Sequence, residues 1–178
     1  MLENYQQSLP DYAKDIKLNL STVLRAGDTA LSETQIQGVA LASAYATKNK
    51  KLVQTIKEYT KNLDANTINA IKGAASLMAM NNVYYRFVHL SEDNEFSQMP
   101  ANLRMNLMAN PGIPKLDFEL YSLAVSAING CGMCISSHTK SLLKEGLNKA
   151  SIQHCIRIAS VINALAQINK IEKYDQST

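Results

Sequence analysis

Glu119-Leu-Tyr-Ser-Leu-Ala-Val-Ser-Ala-Ile-Asn-Gly-Cys-Gly-Met-Cys-Ile-Ser-Ser-His138 carries both the fold and the chemistry of this chain. In its first half Leu120, Leu123, Ala124, Ala127 and Ile128 recur at steps of three and four, the period of an α-helix with a buried face. Asn129-Gly130 interrupts that period. In the second half Cys131 and Cys134 stand three apart, and His138 lies four residues after Cys134, on the same helical face. At the start of a helix, two such cysteines have Cα atoms roughly 5–6 Å apart, within reach of a disulfide. Their thiolates would also lie near the positive end of the helix dipole, which favours the nucleophilic form.

The same helical period recurs along the rest of the chain. Ile36, Val39, Ala40 and Ser43 follow it, then Ile71, Ala74, Ala75, Met78 and Ala79, and later Ile156, Ala159, Ile162 and Leu165. Strand punctuation is scarce, with seven Gly and four Pro in 178 residues, so the expected fold class is all-α. The expected helices start at Pro10-Asp11 (ending near Ala26-Gly27-Asp28), at Ser32 with Thr34 and Gln35 (through Thr47), at Lys51 (to Lys61) and at Asn66-Thr67 (to His89). Three more cover Asp117 to Asn129, Cys131 or Gly132 to Glu145, and Ala150 to about Lys173. Residues 90–100 and 109–115 are dense in turn formers and read as connections. A shift of 84 positions lays Gln35–Ala44 over Glu119–Ile128 with the apolar pattern kept. This predicts one helical domain with an internal two-fold repeat: residues 1–92 as a scaffold half, residues 93–178 as the half that holds the Cys-x-x-Cys.

Composition narrows the function classes. Hydrophobic residues at 46% and charged residues at 19% are the balance of a folded globular chain rather than a disordered one. A formal charge of +3, with Lys48, Lys50 and Lys51 as the one tight basic group, leaves no stripe for nucleic acid. Apolar runs are broken well before the roughly 20 residues of a membrane span. Met-Leu-Glu-Asn-Tyr-Gln-Gln at the start has no leader pattern, so a cytoplasmic location is expected. In a reducing compartment a close cysteine pair reads as catalytic or metal-binding before it reads as a structural staple.

Three readings of the pair stand side by side. As a redox dithiol, it has in His138 a group that holds or relays a proton near neutral pH, and in Glu119 a carboxylate that reaches the site if Gly130 lets the chain fold back. As core, Cys131 and Cys134 are two small buried residues. As a zinc module, they add His138 and need a fourth ligand from Cys155, His154 or Glu119. Cys155 sits in an apolar helical stretch and reads as core, His154 and His89 as structural or surface residues. The seven methionines are spread along the chain and read as core filling. Asn81-Asn82-Val-Tyr84-Tyr85-Arg86-Phe87 is polar and aromatic for a helix interior, which fits an interface between copies or a support for the site.

Glu119, eleven intervening residues, then Cys131-x-x-Cys134-x-x-x-His138 resembles the alkyl hydroperoxide reductase D family of the carboxymuconolactone-decarboxylase-like superfamily. Met80-Asn-Asn-Val-Tyr-Tyr-Arg-Phe87, Leu103-Arg-Met-Asn106 and Asn110-Pro-Gly112 are similar to that family's middle region. Asp117-Phe-Glu-Leu120 and Ser126-Ala-Ile-Asn-Gly-Cys131 are similar to its catalytic segment. The resemblance implies an all-helical homotrimer with an internal repeat that reduces organic hydroperoxides without a bound cofactor. It further implies that the protein regenerates a partner peroxiredoxin of the alkyl hydroperoxide reductase C type, with electrons from the dihydrolipoyl group of a dehydrogenase-complex subunit. By position, Cys134 is then the peroxide-attacking thiol and the site of a mixed disulfide with the peroxiredoxin, Cys131 its resolving partner, and Glu119 and His138 the proton relay. Some members carry a histidine just before the second cysteine; here that position is Met133, which implies slower direct peroxide turnover with disulfide exchange preserved. A lactone decarboxylase on the same fold is the other activity the superfamily offers, and it has no use for a dithiol.

Overall fold

Two helices that are apolar on almost every side organise the structure. The computed structural model describes residues 2–27 and 31–175. In it, α1 (Leu2–Gln7), a 3-10 turn (Asp11–Ala13) and α2 (Lys14–Val23) precede α3 (Glu33–Thr47), α4 (Lys50–Tyr59) and the long α5 (Ala65–Leu90). Two short helices, α6 (Asn94–Gln98) and α7 (Asn106–Ala109), lead into α8 (Lys115–Asn129), α9 (Gly132–Lys144) and the long α10 (Lys149–Asp175). No strand occurs among the described residues. Nine consecutive residues of α3, Ile36 to Ala44, are buried, and so are nine of α8, Phe118 to Ser126. A helix buried all round belongs in the centre. α3 and α8 accordingly pack on each other, with α5 and α10 against both, α4 on α3 and α9 on α8.

Local chemistry starts these helices where the sequence places the signals. Ser32 and Gln35 form a reciprocal capping box at the start of α3, satisfying two otherwise orphaned backbone donors. The Gln35 amide also donates to Asp117 Oδ1 at 2.7 Å, tying the first turn of α3 to the first turn of α8. Asn49 caps α4, and Asp64 caps α5 by accepting from Asn66 N and Thr67 N. The Thr67 hydroxyl, donating to the same carboxylate, holds the Asp64 carboxyl below its usual value.

Several boundaries differ from the sequence expectation. The helix expected from Pro10 opens as a 3-10 turn and closes at Val23; the expected end at Asp28 lies outside the described residues. The 90–100 connection contains α6, capped by Asp93. Leu2–Gln7, which show no helical signal in the sequence, form α1. A six-residue helix is held by tertiary contact rather than propensity: Tyr5 is buried and its hydroxyl donates to Asn169 Oδ1 on α10 at 3.1 Å. The triplet α3, α4, α5 runs 15, 10 and 26 residues, and α8, α9, α10 runs 15, 13 and 27 in the same order.

Cys155 lies in the core, as its apolar setting predicts. It is fully buried, its thiol donates to the Leu120 carbonyl at 3.5 Å, and burial pushes its pKa up to about 12. His154 is also buried, with Nε2 donating to the Val23 carbonyl at 2.8 Å.

α8 packs tightly on α3 at Gly38. A methyl group there would overlap the edge of the Tyr121 ring, which is fully buried. Gly38→Ala is therefore expected to destabilise the fold by about 1–3 kcal/mol through overpacking. Gly73→Ala should cost less, because its new methyl meets only the flexible end of Leu107. Thermal melts of the two variants test this, and equal melting temperatures would contradict it.

Candidate functional site

The site is built at the corner between α8 and α9. Gly130 ends α8 in the left-handed region, φ 70°, which glycine enters at little cost. Its N–H donates to the Ala127 carbonyl and that of Cys131 to Ser126, the paired closure that satisfies the last carbonyls of a helix. The chain then turns directly into α9 with Cys131 as the N-cap residue. Behind the corner a polar staple fixes its position. Asn82 of α5 donates to the Ser126 hydroxyl and accepts from Asn129, both at 2.9 Å, while Arg86 donates to the Asn129 carbonyl at 2.6 Å.

Cys131 and Cys134 are joined as a disulfide, with Cα atoms 5.3 Å apart. The two sulfurs have different surroundings. Cys131 is completely buried, and its Sγ accepts from the Cys134 backbone N–H at 3.3 Å. Cys134 is 6% exposed and lines a cavity. A thiolate on Cys131 would be held by that N–H and by the positive end of α9. A reagent entering the cavity meets Cys134.

Glu119 and His138 meet across the same corner. Glu119 Oε2 and His138 Nδ1 are 2.7 Å apart, and both side chains are buried. A carboxylate accepts only, so Nδ1 carries the hydrogen of this bond and Nε2 is the nitrogen at which a proton is held or released. Nε2 lies 3.3 Å from Met78 Sδ, a weak acceptor that competes little for that proton. All four residues singled out in the sequence, Glu119, Cys131, Cys134 and His138, are thus brought together at one corner.

The structure brings further residues to the site. A cavity of about 310 Å³ opens beside Cys134 and His138, at the small end of ligand-binding cavities. Met78, Met105, Met108 and Met133 line it. Four of the seven methionines therefore line one cavity; Met78 also belongs to the core and Met108 packs against it, as the core-filling reading expects, whereas Met105 and Met133 depart from it. Asn81 and Tyr85 complete the α5 side. Met78, Asn81 and Tyr85 stand at steps of three and four, so one helical stripe was visible in the sequence. Met105 and Met108 come from a separate segment that no periodicity connects to α5.

The zinc reading finds less support in the geometry. Of the fourth ligands it could draw on, Cys155 is engaged at Leu120 and His154 at Val23, while Glu119 lies at the corner but is paired with His138. Among the described residues no three His, Cys, Asp or Glu side chains are grouped as a metal ion requires. No helix among them is long and apolar enough to cross a membrane.

Comparison with known proteins gives one consistent relationship. Residues 94–174 match the model of the carboxymuconolactone decarboxylase family. A protein of Coxiella burnetii (strain Dugway 5J108-111) named alkyl hydroperoxide reductase AhpD is 61% identical over 174 residues, covering 97% of this chain and 98% of that one. Proteins with the same name from Rhodopseudomonas palustris (strain BisA53) and Maricaulis maris (strain MCS10) are each 49% identical. The first covers 93% of this chain and 91% of its own, the second 94% and 96%. A likeness at that level, running over nearly the whole of both chains, makes this protein a member of the AhpD family.

Proposed function

We propose that this protein is an antioxidant thiol peroxidase that reduces organic hydroperoxides through Cys131 and Cys134. In this reading it also returns an oxidised peroxiredoxin partner of the alkyl hydroperoxide reductase C type to its dithiol form. One observation carries the reading: the sulfur that lines the cavity, Cys134, shares that cavity with His138, whose other nitrogen is held by buried Glu119. The names of the relatives support it independently.

In the reduced protein the Cys134 thiolate attacks the terminal oxygen of the hydroperoxide. The O–O bond breaks, and the leaving alkoxide takes a proton from His138 and departs as an alcohol. Cys134 is left as a sulfenic acid. The Cys131 thiol then gives up its proton and attacks the Cys134 sulfur; the S–O bond breaks, the departing hydroxide takes up that proton and leaves as water, and the Cys131–Cys134 disulfide closes. Regeneration runs by exchange with a dihydrolipoyl group on a dehydrogenase-complex subunit. One lipoyl thiolate attacks Cys134 Sγ and Cys131 leaves as a thiolate, a departure eased by the Cys134 N–H and the helix dipole. The second lipoyl thiol attacks the first, closing a dithiolane and freeing Cys134. A peroxiredoxin disulfide is reduced by the same thiol through a mixed disulfide at Cys134. The lactone decarboxylase reading leaves the dithiol without a task.

The two matching helix triplets, with the 84-residue offset in sequence, further support a duplicated unit whose second copy carries the chemistry. We also read the protein as a homotrimer of the cytoplasm. Val83, Phe87 and Leu90 on α5, with Phe96 against Phe87, expose a run of large apolar side chains. Phe87 and Phe96 meet edge to face at 5.0 Å, and such a surface is suited to burial against a copy of itself.

Steady-state turnover of cumene hydroperoxide with dihydrolipoamide as reductant, with and without a candidate peroxiredoxin, tests the activity. Wild-type protein should consume both reagents, and Cys134→Ser should abolish turnover. Glu119→Gln should slow it roughly 10²- to 10⁴-fold, the usual contribution of acid–base help. Turnover that survives in Cys134→Ser would refute the mechanism. For the assembly, light scattering at micromolar concentration should give the mass of three chains, and Phe87→Glu should lower it. A monomer in the wild-type protein contradicts the trimer.

A further inference from the structure

Asn81 and Asn82 are adjacent on α5, both are buried, and only one has its side-chain oxygen matched. Asn82 Oδ1 accepts from Asn129 and its amide donates to Ser126. Asn81 is 5% exposed, lines the cavity beside Cys134 and His138, and its Oδ1 has no hydrogen-bond partner among the described residues. An unmatched buried carbonyl carries a desolvation penalty. Four of its eight neighbours along the wall are thioethers, which offer no hydrogen to donate, and the hydroxyls of Tyr85 and Ser137 leave Asn81 Oδ1 without a hydrogen bond. The cavity therefore presents a buried, unmatched carbonyl among four methionines, next to the accessible sulfur.

We propose that Asn81 is a substrate-contact residue, its Oδ1 accepting the hydrogen bond of the hydroperoxide O–H while the methionine wall receives the organic group. The inference rests on the peroxidase reading above and adds a residue to it. The chemistry favours this donor over the reducing thiol. When the Cys134 thiolate attacks, the terminal oxygen keeps its hydrogen as the O–O bond breaks, and the other oxygen leaves with the proton from His138. The O–H is thus available to Asn81 before the transfer, and on the sulfenic acid after it. A dithiol attacks the disulfide as a thiolate, which has no hydrogen to give, and an S–H is in any case a weak donor. Asn81 therefore acts in the oxidative half of the cycle and not in the reductive half.

The two halves are measured separately. Pre-reduced protein is mixed with cumene hydroperoxide and its oxidation followed by alkylation and mass. Oxidised protein is mixed with dihydrolipoamide and the loss of its disulfide followed in the same way. In both Asn81→Ala and the volume-matching Asn81→Leu, the rate constant for oxidation should fall roughly three- to tenfold, the value of one net hydrogen bond. Reduction by dihydrolipoamide should stay within about twofold of wild type, which also shows that the corner between α8 and α9 has kept its shape. Equal falls in both halves would make Asn81 a structural residue, and an unchanged oxidation rate would remove it from the site; either result overturns the proposal. Wild-type protein that cumene hydroperoxide does not oxidise would instead bring down the peroxidase reading, and this inference with it.

Discussion

The hydrogen bond between Glu119 and His138 is the interaction on which the site depends. It joins a residue near the start of α8 to one in the middle of α9, across the reversal made at Gly130, and it lies where water is largely excluded. Burying a carboxylate and an imidazole is costly unless each meets the other. The pairing therefore fixes the ring orientation and, with it, the nitrogen that faces the cavity. Removing either partner would strand the other in the core, so geometry and chemistry fail together.

The second constraint is the asymmetry of the cysteines. Cys131 caps α9, sealed from solvent and bonded to a backbone N–H; Cys134 faces the cavity. The helix start alone would favour Cys131 as the more acidic thiol. The proposed cycle instead assigns attack to Cys134 on the ground of access, since Cys134 lines the cavity and Cys131 does not. In the proposed cycle the division suits both halves: Cys134 receives oxidant and reductant, and Cys131 resolves and leaves. Behind them, α3 and α8 form a centre packed closely enough that a methyl at Gly38 would not fit, and the staple of Asn82, Asn129 and Arg86 holds the corner from the other side.

Much of this is legible in the sequence, for identifiable reasons. The all-α class follows from a period sustained over every long segment, and the four polar site residues follow from their spacing across Gly130. Helix starts are legible where a side chain caps them, as at Ser32 with Gln35. α1 is not legible, because Tyr5 is held by Asn169 at the other end of the chain. The methionine wall is only partly legible: Met78 shares a stripe with Asn81 and Tyr85, but Met105 and Met108 reach the cavity from the short α7 and its N-cap, which no periodicity links to α5. Of two adjacent asparagines, nothing in the sequence says which one staples helices and which one faces the cavity. That distinction is made by the packing of α5 against α8.

The central claim, that a peroxide is reduced at the expense of the Cys131–Cys134 pair, is tested most directly by one mass measurement. Fully reduced protein is treated with one equivalent of cumene hydroperoxide, alkylated under denaturing conditions and digested with trypsin. The peptide Leu116–Lys140, which contains both cysteines, should become lighter by two hydrogens and escape alkylation, while Cys155 is alkylated as in the untreated protein. A reductant added before alkylation should reverse the change. Hydroperoxide consumed while Cys131 and Cys134 both remain open to alkylation would contradict the account.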